Sequence, residues 1–74
     1  MKFVACINTK VGDFSGDDLT IGRLYEVIAE EHGMLKLVDD SGEDYLYPAS
    51  CFESVTLAEP AATRIHEALL RLAA

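Results

Sequence analysis

The chain is 74 residues long, half hydrophobic and 26% charged, with 13 acidic against 6 basic side chains and a net charge of −7. That length makes one domain with a modest core, and the composition excludes a disordered chain. A surface this negative repels phosphate and anionic lipid, so the expected partner is a protein or peptide, by charge a basic one, with no nucleic acid and no membrane.

Residues 3–7, FVACI, form a continuous apolar run ended by Asn8, which predicts a first strand buried on both faces. Only these five apolar residues follow Lys2, too few for a signal peptide, and no run reaches the ~20 apolar residues of a membrane helix. A cytoplasmic protein is expected. Residues 8–18 read as a long polar loop holding Gly12, Gly16 and the acids Asp13, Asp17 and Asp18, with Phe14 as a plug beneath it.

A second strand is predicted over 24–30, with Tyr25, Val27 and Ala29 toward the core and Leu24, Glu26, Ile28 and Glu30 on the wetter face. His32-Gly33 is a turn, and 34–39 a third strand. Residues 40–43 then make a hairpin tip in which Gly42 supplies the positive φ of a tight turn. Residues 45–47 form the fourth strand, with Tyr45 and Tyr47 on one face, Leu46 on the other, and Pro48 as its stop. A turn of about one 3₁₀ length leads to a fifth strand over 52–57.

From Ala61 the period changes. Ala61, Ile65, Ala68, Leu69 and Leu72 fall at helical spacing, with Pro60 at the first position. A lone helix of this length is marginal in water. It is expected to dock on the outside of the sheet, which accounts for a first strand apolar on both faces. Leu70 and Ala73 widen the stripe into an edge for a weak homodimer; otherwise the protein is a monomer.

Two segments carry a resemblance. LTIGRLYEV (19–27) is similar to the glycine-then-aliphatic entry into the second strand of SH3 domains, and YPASCFESV (47–55) to their proline, 3₁₀ turn, aromatic and closing strand. With SGEDYLYP (41–48), the chain resembles small bacterial and phage-borne SH3-like proteins over 1–57; the helix, 60–73, lies outside the likeness. The fold expected is a mainly β, five-stranded SH3-like barrel with one C-terminal α-helix packed on it. The resemblance implies a non-catalytic interaction module. The chain has no tryptophan, so the main wall of the polyproline groove has no counterpart. Tyr45, Tyr47, Pro48 and Phe52 remain as groove pieces, unless one of the two tyrosines packs under the long loop against Phe14; Asp13, Asp17 and Asp18 remain as receivers of an arginine or lysine.

Other chemistry is weighed and set aside. Counting from Asp39, the glycine is fourth and the twelfth residue is Ser50, which fails the calcium-loop pattern. The acidic run 39–44 reads instead as a solvated hairpin tip. An alternative is mimicry of nucleic-acid charge to block a basic protein, with Asp17, Asp18, Glu30, Glu31, Asp39, Asp40, Glu43 and Asp44 supplying the field. Cys6 and Cys51 have no CxxC spacing and no histidine placed to activate them. They are expected as buried, reduced thiols, with a single bridge between strands as the alternative. No cofactor, metal or catalytic residue is expected.

Overall fold

β-Branched and aromatic runs separated by glycine turns produce the strands predicted, and two short ones besides. The computed structural model describes residues 1–73, with side chains described as far as Arg71. The strands are Lys2–Cys6 (β1), Lys10–Val11 (β2), Phe14–Ser15 (β3), Leu24–Glu31 (β4), Met34–Val38 (β5), Asp44–Pro48 (β6) and Phe52–Val55 (β7); a 3₁₀ turn spans Ala49–Cys51 and a helix, α1, spans Ala61–Ala73. Five strands make one antiparallel sheet in the order β6-β5-β4-β1-β7, and β2 pairs with β3. The first loop is therefore not irregular throughout: Val11 faces Phe14 across a turn in which Gly12 has φ 57°.

The turns follow from backbone freedom. His32 (φ 49°) and Gly33 (φ 77°) join β4 to β5 in a two-residue turn with both φ positive, the form that matches strand twist. The β5–β6 hairpin closes with the Gly42 amide donating to the Asp39 carbonyl at 3.1 Å, and Gly42 at φ 85°. That is a three-residue loop ended by a left-handed glycine.

The register of β5 with β6 pairs Leu37 with Tyr45 and Leu35 with Tyr47. The Asp39 amide donates to the Glu43 carbonyl at 3.0 Å and the Ala49 amide to the Gly33 carbonyl at 3.0 Å. Both pairs belong to the same hydrogen-bonded set, so 43, 45, 47 and 49 bond inward to β5, while Asp44, Leu46 and Pro48 turn their main-chain groups outward. Proline is tolerated at the end of β6 for that reason: its missing N–H would have faced away from the ladder.

The inner core gathers Val4, Cys6, Tyr25, Leu37, Tyr47 and Phe52 among its buried members. The Phe52 ring meets the Tyr25 and Tyr47 rings edge-on at 6.1 and 6.4 Å. Phe3 is equally buried, at 2% exposure, but lies outside that cluster, paired with Glu26 and Val55 on the opposite face. There α1 lies over the sheet, and its His66 Nδ1 meets the Glu26 carboxylate. The apolar first strand thus faces the core on one side, and on the other Phe3 is buried on the face where the helix meets Glu26 of β4.

Two details differ from expectation. The helix presents Ala62, Ile65, His66 and Leu69 to the sheet, while Ala61 and Ala68 are exposed. The spacing is still i, i+3, i+4, i+7; the stripe is simply rotated by one residue at its start. In β4 the register shifts between Val27, opposite Leu37, and Ala29, opposite Lys36. Because Ile28 is an extra residue there, Ala29 moves to the outer face with Lys36, and Glu30 shares a face with Lys2, its ion-pair partner at 2.6 Å. Strict alternation puts Ala29 on the face of Tyr25 and Val27.

Candidate protein-binding surface

The inward phase of β5 runs Leu35, Leu37, Asp39, and the last of these is a carboxylate at 2% exposure. It accepts hydrogen bonds from the Ser41 amide (2.9 Å), the Ser41 hydroxyl and the Tyr47 phenol. Burial alone would raise its pKa, but the bonds from Ser41 and Tyr47 prevail and hold it below the usual carboxylate range. Burial, together with that carboxylate, pushes the Tyr47 phenol well above its ordinary value.

Asp40 ties the hairpin tip to the first loop. Its carboxylate accepts from the Thr20 hydroxyl (2.6 Å) and the Tyr25 phenol (2.8 Å) and pairs with the Arg23 guanidinium. The Tyr25 oxygen in turn accepts the Thr20 amide at 2.8 Å. The Asp40 amide donates to the Asp18 carbonyl at 2.9 Å. Asp39 and Asp40 are therefore structural anchors; the reading of residues 39–44 as a solvated tip is corrected for the buried Asp39, while Asp40 remains exposed.

Consequently the end of the first loop is held against the β5–β6 hairpin. Tyr45 stands at the junction, half exposed at 50%, with its hydroxyl donating to Glu43 Oε2 at 2.6 Å. The neighbouring Glu43, and beyond it Asp39 and Asp18, push its phenol pKa up. An exposed ring is thereby set in a field of carboxylates drawn from two chain segments. Asp13, Asp17 and Asp18 are all exposed, and Asp17 accepts only a long bond (3.4 Å) from Ser15.

Two expected contact residues are corrected. Tyr47 is 6% exposed and Phe52 7%, because both rings turn into the core; Phe14 of the first loop covers Tyr47 edge-on at 5.6 Å. Phe14 does act as a plug. Pro48 is half-buried. Leu46, on the opposite face of β6 from Tyr45, is also exposed, as is Glu43. Alternation along β5 was the available signal that Asp39 points inward; nothing in the sequence revealed the grip of Asp40 on Thr20.

On the helix side, Leu70 is exposed, and Ala73 lies outside the residues whose side chains are described. Leu70, Leu69, Ile28 and Val38 border a groove of about 310 Å³ beside the His66–Glu26 pair. Cys6 and Cys51 are free thiols at 1% and 0% exposure, and burial pushes both pKa values up. Thiols held protonated in this way are poor nucleophiles. Among the described residues no three histidine, cysteine or carboxylate side chains gather as a metal site, and no helix is long and apolar enough to cross a membrane. No protein-family model, curated protein or solved structure matches this chain.

Proposed function

We propose that the protein is a non-catalytic interaction module that takes a cationic segment of a protein partner at Tyr45. One observation carries the reading: an exposed aromatic ring whose hydroxyl meets Glu43, on a hairpin to which the acidic first loop is fastened by the Asp40 amide at the Asp18 carbonyl. An arginine or lysine placed over that ring gains both cation–π attraction and the carboxylate field. The surface is preorganised, so little loop ordering is spent on binding.

The strand order β6-β5-β4-β1-β7, the 3₁₀ turn before β7 and the bulged β4 support reading the sheet as an SH3-like barrel. In that reading the first loop and the β5–β6 hairpin flank the contact surface. With no tryptophan and with Tyr47 buried, the partner is recognised by charge and not by stacked proline.

Calorimetric titration of an arginine-containing peptide into the protein and into Tyr45→Ala tests the reading. Binding that weakens both on that substitution and on raising salt supports it. Equal affinity for both proteins, or an affinity indifferent to salt, overturns it.

A second reading rests on the exposed Leu70 and Ile28 beside the groove: weak self-association through the helix edge. Sedimentation of Leu70→Glu against the parent protein decides it. A mass unchanged by the substitution and monomeric at every concentration removes it.

A further inference from the structure

We infer that the outer edge of β6 receives the partner as an added strand, bonded to the main chain of Asp44 and Leu46; this rests on the Tyr45 surface proposed above and gives its binding mode. The alternation fixed by the Asp39–Glu43 and Ala49–Gly33 bonds turns the N–H and C=O of Asp44 and Leu46 away from β5. Among the described residues no hydrogen bond engages those outward groups, and both residues are exposed. Pro48 closes only the far end of the edge.

The other edge offers less. On β7 the bonds to β1 leave Phe52 and Ser54 outward, and the Phe52 amide is already taken by the Ala49 carbonyl. That leaves one complete outward residue and no exposed ring.

Charge chooses the occupant. Glu43 and Asp44 border the β6 edge; Asp44 has Lys36 beside it at 3.4 Å, while Glu43 has no ion-pair partner among the described residues, and a second copy would bring its own Glu43 against this one. A basic extended segment meets them with opposite sign. Side chains of an added strand alternate, so one set passes the Tyr45 and Asp18 side while the other lies along Leu46. The favoured partner therefore alternates a lysine or arginine with an aliphatic residue.

The test uses the unmodified full chain and a capped peptide alternating lysine with valine. Hydrogen exchange of individual amides is followed without peptide and at saturation. The Asp44 and Leu46 amides should slow by about tenfold, the worth of one new hydrogen bond each. Methylating alternate peptide nitrogens, first one set and then the other, should abolish binding for one set and spare it for the other. Peptide that perturbs Tyr45 but leaves exchange at Asp44 and Leu46 unchanged overturns strand addition while the Tyr45 surface stands. Absence of any binding removes both. Protection of the two amides in concentrated protein alone replaces the peptide with a second copy and overturns the choice of occupant.

Discussion

The Asp40 amide donates to the Asp18 carbonyl at 2.9 Å, joining two segments more than twenty positions apart in the chain. This bond sets the first loop, with its exposed Asp17 and Asp18, against the β5–β6 hairpin that carries Tyr45. The proposed surface depends on that junction more than on any single side chain.

Charge removal on the loop should therefore act at the hairpin. Asp17→Asn with Asp18→Asn is expected to weaken binding of an arginine peptide by a few-fold to about tenfold and to flatten its salt dependence. Thermal unfolding of the double variant should match the parent, since both side chains are exposed. An unchanged salt slope would show that the loop takes no part.

The buried Tyr47–Asp39 bond makes a stability prediction. Tyr47→Phe deletes the donor and keeps the ring, leaving Asp39 short of a partner at 2% exposure. A loss of about 1–3 kcal/mol by urea unfolding is expected. An unchanged midpoint would mean that Ser41 alone satisfies the carboxylate.

Proton linkage has a definite sign on each side. The folded pKa of Asp39 is lowered, so its contribution is present above the unfolded carboxylate value of about 4 and is lost as pH falls through the lower folded value. Tyr25 is raised to about 12 by burial, with Asp40 adding to the rise. Its contribution is complete below the unfolded value of about 10 and is lost as pH rises through about 12. Tyr47 shifts in the same direction. Unfolding midpoints measured across pH should stay level between these limits and fall outside them; a decline setting in between pH 6 and 9 would require other groups.

Phe3 tests the helix cover. Although it lies outside the inner cluster, Phe3→Ala should cost about 3–5 kcal/mol, the usual loss for a buried phenylalanine. Ending the chain after Glu59 should expose the same ring and raise binding of a hydrophobic dye. A truncated chain with full stability and no dye binding would show that the helix covers nothing of consequence.

Much of this architecture can be read from residue order, because the period of two, the glycine turns and the change to helical spacing at Ala61 are local signals. The FVACI run even implies a cover on the outer face, and Phe3 is buried there. What alternation misses is what depends on a single inserted residue or a distant partner. The bulge at Ile28 sends Ala29 outward, and no propensity marks it. Tyr45 and Tyr47 share a face by parity, and that one of them packs on Phe14 is legible; which one is not, and it is Tyr47 that is buried while Tyr45 stays half exposed. Asp39 and Asp40 look like a polar tip because their partners Tyr47, Thr20 and Arg23 come from elsewhere in the chain. Asp13, Asp17 and Asp18 stay exposed, and Glu43 and Asp44 have only surface partners, Tyr45 and Lys36.

Amide chemical-shift mapping with an arginine-containing peptide tests the central claim most directly. The account predicts saturable shifts concentrated at Glu43, Tyr45 and Leu46 and at Asp17 and Asp18. Shifts confined to the helix, or scattered with none at Tyr45, would contradict it.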